Sequence, residues 1–145
     1  MGARLQAGII RDDLNVYLKP YGLFFGPNTS TSNRAMIGGM IGNNSSGSYS
    51  IVYGTTRDHV LSMKALLSDG SEVEFKALTK GEFRRKCIGN TLENQIYRHI
   101  NNELSRPDVR ENIKNNFPKP QIHRRNTGYA AVSYTHLRAH ETINH

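Results

Sequence analysis

The residues best suited to chemistry lie in one segment, 28–54, that is rich in Gly, Ser, Thr and Asn. Hydroxyl and amide side chains come first, from Thr29 to Asn33, and such groups can donate to phosphate or sugar oxygens. Gly38 and Gly39 then remove two side chains, so that a ligand could lie directly against the backbone. The pattern predicts an ordered loop that contacts phosphate.

The second half of the segment extends this prediction. If the chain turns helical from Gly39 onward, its free N–H groups would point toward the same ligand. Asn43, Asn44 and Ser45 add neutral donors and acceptors, and Gly47 lets the chain leave sharply. Two alternatives stay open: the asparagines cap the loop by bonding its backbone, or the whole segment is a Gly-rich structural loop without a ligand.

Composition and missing motifs exclude several classes of protein. The sequence contains neither Gly-x-Gly-x-x-Gly nor a Gly-Lys-Ser/Thr loop, so a Rossmann fold and P-loop chemistry are not supported. A single cysteine, Cys87, cannot form a disulfide framework. The net charge is +7, but the basic residues are scattered. We therefore expect no nucleic-acid partner and interpret the charge as attraction to phosphate or carboxylate groups.

The elements that would position this segment follow an α+β order. Residues 4–9 could form a short strand, and apolar residues at helical spacing predict a helix over 10–21. Alternating residues around Asp69-Gly70 predict a β-hairpin over 59–75. Thr91 can cap a helix with apolar residues at spacing four, and a last helix follows it and ends near Asn116. No run approaches the length of a membrane span.

Short motifs stand in order through residues 8–75: Asp13-Leu14-Asn15, Leu23-Phe24-Phe25-Gly26-Pro27, Ser30-Thr31-Ser32-Asn33, Ile37-Gly38-Gly39-Met40, Asn43-Asn44-Ser45, Tyr53-Gly54, Asp58-His59-Val60 and Ser68-Asp69-Gly70. Together they resemble the second half of the FAD-binding domain of the vanillyl-alcohol-oxidase type, also called PCMH-type. The large bacterial FAD-linked D-lactate and 2-hydroxyacid dehydrogenases are the most similar group. A lone Ile-Gly-Gly would be weak evidence, but the ordered series is specific.

The resemblance implies FAD as the cofactor, held between two α+β subdomains. It also implies a parent enzyme that oxidises a small 2-hydroxy acid such as D-lactate to the 2-oxo acid, with hydride passing to flavin N5. The residues implied to contact the cofactor, from pyrophosphate and ribose through flavin to adenine, are Ser30, Thr31, Ser32, Ile37, Gly38, Gly39, Asn43, Asn44, Gly47, Tyr53, Gly54 and Val60. For Ile37 and Val60, core packing is the alternative.

The expected architecture is therefore α+β, the second subdomain of a PCMH-type FAD-binding domain, with a mixed sheet, flanking helices and truncation at both ends. Residues 1–80 would form the partial FAD-binding domain, and residues 81–130 a helical insertion and a linker toward a missing substrate domain. The catalytic residues, unknown here, would lie in that missing domain. We expect the chain alone to be inactive and to bind FAD weakly or not at all. The expected location is cytoplasmic, with peripheral membrane attachment of the intact enzyme as an alternative.

The C-terminal residues 131–145 match no preceding pattern. His136 and His140 would share one face of a helix and so suggest a metal site. The string resembles a tail of translated adapter DNA that recurs on unrelated fragments, so we expect a non-native tail and no metal. Before it, Arg124 and Arg125 suit a substrate carboxylate, with salt bridges at a domain junction as the alternative. The alternative function is a non-catalytic module that binds a nucleotide or anion.

Overall fold

The computed structural model describes residues 2–117 and separates the chain after Val60 into two compact units. We call their described parts unit 1, residues 2–60, and unit 2, residues 61–117. The described residues form six α-helices and a two-stranded sheet, which confirms the α+β class. That sheet is antiparallel rather than mixed. Arg124, Arg125 and the expected tail at 131–145 lie outside the described residues.

Unit 1 begins with an irregular segment that leads into the first helix. Helix α1 spans Arg11–Leu18 and continues as a 3₁₀ turn over Lys19–Tyr21, as the helical spacing predicted. The predicted strand at residues 4–9 is wrong. The described residues offer that segment no neighbouring strand, and its carbonyl groups instead accept N–H groups from the start of helix α2, as described below.

The rest of unit 1 is short helical turns joined by ordered loops. Helix α2 spans Ile37–Gly42, helix α3 spans Ser50–Tyr53, and a 3₁₀ turn spans Thr56–His59. The core is small: Leu14 of α1 packs with two residues of α2, Ile37 and Met40. Since few apolar residues are buried, much of the order of unit 1 depends on hydrogen bonds.

Unit 2 begins with the predicted hairpin. Strand β1, Ser62–Leu66, pairs with β2, Glu72–Lys76. Its turn contains Gly70, whose φ of 82° is one that residues with a Cβ rarely adopt. Asp69 closes the turn by accepting the N–H of Ser71 at 3.0 Å. Burial is weaker than the alternation predicted, since Val73 is 8% exposed but Leu61 is 80% exposed.

Three helices complete unit 2: α4 spans Lys80–Lys86, α5 spans Leu92–Ser105 and α6 spans Pro107–Asn116. The predicted cap of α5 is confirmed, because Thr91 Oγ1 accepts the N–H of Asn94 at 3.2 Å. Thr79 and Glu82 form the same reciprocal cap on α4. Helix α4 was not predicted, although Thr-x-x-Glu is a recognisable start signal.

Helices α4 and α5 are joined by polar and aromatic contacts. Lys86 Nζ donates to Glu93 Oε1 at 2.5 Å, and this bond raises the pKa of Lys86 above its ordinary value. Tyr97 packs edge-on against Phe83, with ring centroids 5.6 Å apart, and burial raises the pKa of the Tyr97 phenol. None of the described helices is long and apolar enough to cross a membrane.

Candidate functional site

Helix α1 supports the start of the candidate loop from behind. Arg11 Nε donates to the carbonyl of Pro27 at 3.1 Å, and Arg11 Nη2 donates to the carbonyl of Phe25 at 3.2 Å. One turn later, Asn15 Oδ1 accepts the N–H of Phe25 at 2.6 Å. Two polar side chains of one helix thus hold residues 25–27 in place, so Asn15 of the Asp-Leu-Asn motif has a structural role.

A third residue of helix α1, Asp12, bonds residues 29–33, which we call the hydroxyl-rich turn. Ser32 Oγ donates to Asp12 Oδ2 at 2.9 Å, and the N–H of Asp12 donates to the carbonyl of Ser32 at 3.3 Å. Asp12 Oδ1 in turn accepts from Arg11 Nη1 at 3.0 Å. The sequence by itself gave neither Asp12 nor Arg11 a role in this site, because Ser32, the partner of Asp12, lies 20 residues away in the chain.

The other predicted hydroxyls form a compact turn. The N–H of Ala35 donates to the carbonyl of Thr31 at 2.8 Å, and Thr29 Oγ1 lies 3.3 Å from Thr31 Oγ1. Ser30 at the tip is exposed. Arg34 is the one charged residue in the sequence from 28 to 54 and is also exposed.

The two glycines at the start of helix α2 differ in their surroundings. A Cβ on Gly38 would lie 2.7 Å from the Cβ of Ala7, whereas a Cβ on Gly39 would meet nothing within 4 Å. The N–H of Ile37 donates to the carbonyl of Ile9 and that of Gly38 to the carbonyl of Ala7, at 2.9 and 2.8 Å. Gly38 therefore allows helix α2 to pack closely against Ala7, and of the two glycines only Gly39 faces open space.

Of the two asparagines after helix α2, Asn44 bonds the backbone of this chain, whereas Asn43 is exposed. Asn44 adopts a φ of 45°, and its Oδ1 accepts the N–H of Arg57 at 2.9 Å. This is the capping role given above as the alternative. Asn43 is exposed and donates from Nδ2 to Ser45 Oγ at 3.2 Å.

Near the C-terminal end of the loop, residues 47–49 contact Asn28 at its start. A Cβ on Gly47 would fall on the carbonyl oxygen of Asn28, so this glycine brings the two ends of the segment together. Asn28 Oδ1 also accepts the N–H of Tyr49 at 3.1 Å. The close approach predicted at Gly47 exists, but its partner is the protein's own backbone.

A buried threonine that sequence reasoning missed anchors the middle of the loop. Thr56 is fully buried, and both its Oγ1 and its N–H donate to the carbonyl of Ser45, at 2.7 and 3.0 Å. Thr56 lies just beyond the segment and matches no motif, so the sequence carried no signal for it. Among the described residues, every buried side-chain polar atom has a partner.

The last three predicted residues lie at the far end of the unit. Tyr53 is 42% exposed and packs edge-on against Phe24, with ring centroids 5.0 Å apart. Gly54 has a φ of 75° and permits the turn into the 3₁₀ segment. Val60 is half-buried and precedes strand β1, so the expectation that it lies on that strand is wrong.

Comparison with known proteins identifies the family. Residues 1–76 match the model of a family described as the FAD binding domain, which is more than half of the 145 residues. The chain belongs to the FAD binding domain family. The resemblance carried by the ordered motifs is thus confirmed, and with it FAD as the cofactor of this domain. No solved structure matches the chain significantly.

Several curated proteins are similar to this FAD binding domain chain. Among those named D-2-hydroxyglutarate dehydrogenase, the one from Pantoea ananatis is 42% identical over 127 residues, and the one from Escherichia coli is 43% identical over 126. A protein from Arabidopsis thaliana named D-lactate dehydrogenase (cytochrome), mitochondrial, is 38% identical over 100 residues, or 66% of this chain and 16% of that protein. The alignments with the two bacterial proteins cover 87% of this chain but 12% of each relative.

The residues present fit one side of an FAD site. Gly39 leaves an open position beside helix α2, and Ser30, Asn43 and Tyr53 are exposed on the same unit. Thr31 and Ser32 are half-buried beside Ser30 in the same turn. The other predicted residues shape the loop, since their side chains or N–H groups bond or pack against other parts of the chain. FAD carries phosphates, hydroxyls and an aromatic ring system, which these exposed donors and the aromatic side chain can contact.

Proposed function

We propose that residues 28–54 hold FAD in a flavin-dependent dehydrogenase that oxidises a 2-hydroxy acid to the 2-oxo acid. The observation that carries this proposal is the family match over residues 1–76, which includes the loop with an open position at Gly39. FAD supplies the redox chemistry when it is bound, and the protein supplies orientation and electrostatics. The part of this chain is therefore to bind and to orient.

In this proposal the predicted residues fall into two groups, one that contacts FAD and one that maintains the conformation of the loop. One group would touch FAD directly: Ser30, Thr31, Ser32, Gly39, Asn43 and Tyr53. The other group would keep the loop in shape, which explains why its members bond or pack against the chain itself: Ile37, Gly38, Asn44, Gly47, Gly54 and Val60. Residues 1–80 would be the FAD-binding part, and residues 81–130 an insertion and a linker.

Two candidate substrates follow from the similar proteins. D-2-hydroxyglutarate is the first choice, because the bacterial relatives with that name are similar over 87% of this chain. D-lactate is the second, because the plant relative named for it is similar over 66%. The base that accepts the hydroxyl proton and the groups that hold the substrate carboxylate would lie elsewhere in the whole protein.

The proposal is tested on the protein in its full natural length. We expect it to purify with bound flavin and to reduce an artificial electron acceptor faster with D-2-hydroxyglutarate than with D-lactate. Absence of flavin together with tight binding of a nucleotide or inorganic phosphate would favour the non-catalytic alternative. Retention on DNA at low salt would support a nucleic-acid partner instead.

A pair of matched substitutions tests the open position in the loop. Gly39→Val would place a side chain in the space proposed for FAD, and we expect it to abolish flavin binding without unfolding the protein. Gly42→Val is the control, since Gly42 lies in the same helix and a Cβ on it would also meet nothing within 4 Å. Equal flavin content in the two variants would refute the assignment of Gly39.

The cellular location is a separate proposal. We propose a cytoplasmic protein, and fractionation of cells that express the full-length form would test it. Recovery with the membrane fraction that is lost on washing with salt would indicate peripheral attachment.

A further inference from the structure

The hydrogen bond between helix α1 and the hydroxyl-rich turn limits what Ser32 can bind. We propose that Asp12 holds the hydroxyl proton of Ser32, so that Ser32 accepts a hydrogen bond from a sugar hydroxyl of FAD and does not donate to phosphate. This inference rests on the proposed function of the loop. Asp12 would be a positioning residue, and Ser32 the residue that meets the cofactor.

The geometry gives Ser32 a fixed partner. Ser32 Oγ lies 2.9 Å from Asp12 Oδ2, and the backbone bond between the same two residues, 3.3 Å from N to O, keeps them in register. The second carboxylate oxygen of Asp12 is held by Arg11 at 3.0 Å. Arg11 is itself anchored on the carbonyl groups of Phe25 and Pro27, so the carboxylate is held on both sides.

The direction of the bond follows from the chemistry of its partners. An ionised carboxylate can only accept, so the single hydroxyl proton of Ser32 must point toward Asp12. The lone pairs of Ser32 Oγ are what remains for a ligand. The ionised oxygens of a pyrophosphate also only accept, and the Asp12 charge beside Ser32 would repel them. A sugar hydroxyl can donate, so it satisfies Ser32 without breaking the existing bond.

The neighbouring pair, Thr29 and Thr31, can donate a hydrogen bond to a ligand, which Ser32 cannot. Thr29 and Thr31 share one hydrogen bond between their hydroxyls, at 3.3 Å, and either oxygen can be its donor. Two hydroxyl protons are present and one bond uses one of them, so the second can be donated to a phosphate oxygen. The turn therefore offers a donor to phosphate at the threonine pair and an acceptor to sugar at Ser32.

The test measures affinity in the full-length protein for FAD and for FAD analogues that each lack one hydroxyl of the ribose or of the ribityl chain. We expect one analogue to bind about tenfold more weakly than FAD, which corresponds to about 1.4 kcal/mol. Ser32→Ala should weaken FAD binding and remove the difference between FAD and that analogue. Ser32→Thr, which keeps the hydroxyl, should restore the difference.

A nearly isosteric change in the positioning residue separates bond direction from shape. In Asp12→Asn, Arg11 still requires the amide oxygen, so the amide NH₂ would face Ser32 and donate to it. Ser32 would then regain a proton to donate, which a sugar hydroxyl can also accept, so the variant should still bind FAD. An FAD analogue with fluorine in place of that hydroxyl can only accept, and it should bind Asp12→Asn better than it binds the wild-type protein. The control is Asp13→Asn in the same turn, because Asp13 is exposed, and it should bind this analogue as the wild type does.

The outcomes distinguish this inference from the proposed function. If the wild-type protein binds FAD and every analogue equally, if Ser32→Ala keeps the preference, or if Asp12→Asn binds the fluorinated analogue no better than the wild type does, the assignment of Ser32 as an acceptor is refuted and FAD binding stands. If the wild-type protein binds no FAD at all, the proposed function is refuted.

Discussion

The loop at residues 28–54 and the hairpin at residues 62–76 are ordered by different kinds of contact. In the hairpin, five residue pairs face each other in register, from Ser62 with Lys76 to Leu66 with Glu72, and a tight turn joins the strands. In the loop, single side chains reach backbone groups far along the chain, as Arg11 does to Pro27 over 16 residues and Thr56 to Ser45 over 11.

The difference determines where each region is sensitive to substitution. The backbone hydrogen bonds of the hairpin depend on no single side chain, so each substitution at an exposed hairpin position should change stability by less than about 1 kcal/mol. The loop has no such ladder, and each of its anchors is one residue. Four predictions test this contrast, from the largest expected effect to the smallest.

Gly47→Ala should be the most damaging change. Its Cβ would fall on the carbonyl oxygen of Asn28, so the two ends of the loop would have to separate. We expect a loss of about 3 kcal/mol of stability in chemical denaturation, as for overpacking a tight site. Gly39→Ala should instead raise stability by about 0.5–1 kcal/mol, since it adds a better helix former in open space. Equal stability of the two variants would contradict the contrast within the loop.

Arg11→Ala should follow in size. It removes donors to two carbonyl groups and the partner of Asp12, and the side chain is only 13% exposed. We expect a loss of about 2–3 kcal/mol, because charged donors to buried groups are costly to remove. Arg34→Ala, on the exposed turn, should change stability by less than about 0.5 kcal/mol. Urea unfolding of both variants provides the comparison.

Thr91→Ala should have a moderate effect confined to unit 2. It removes the reciprocal cap with Asn94 at the start of helix α5. The expected loss is about 1 kcal/mol, and Thr91→Ser should recover most of it because the hydroxyl is kept. Hydrogen exchange should show faster opening of the first turn of α5 and unchanged exchange in the loop. Faster exchange at residues 28–54 would show that the two regions are not independent.

Acid should weaken the cap of helix α4 with the smallest effect of the four. Bonds from the hydroxyl and N–H of Thr79 lower the pKa of Glu82 below its ordinary value of 4.5. A lowered pKa means that the contribution to stability is present above about pH 4.5 and is lost as pH falls through the folded pKa. In NMR titration, Thr79→Val should raise the pKa of Glu82 toward the ordinary value. An unchanged titration would refute the cap.

Local features of the fold were predicted well from the sequence. Helix α1, the hairpin and the cap of α5 each depend on residues close together in the chain, so periodicity and turn chemistry suffice to find them. The strand predicted at residues 4–9 was wrong for the opposite reason, because a strand depends on residues far along the chain. A strand needs a neighbour, and the apolar character of these residues could not reveal that their carbonyl groups meet helix α2.

The candidate site shows the same division at the level of single residues. The sequence by itself determined the family and marked residues 28–54 as the candidate segment, because ordered motifs of glycines, hydroxyls and amides are readable without coordinates. Only the tertiary structure decided that Gly38 and Gly47 face the chain while Gly39 faces open space, and that Ser32 is bound to Asp12. The physical reason is that a residue's type fixes which bonds it can make, whereas the partners that use those bonds lie far away in the chain, as Ala7 does from Gly38, and are brought close only by folding.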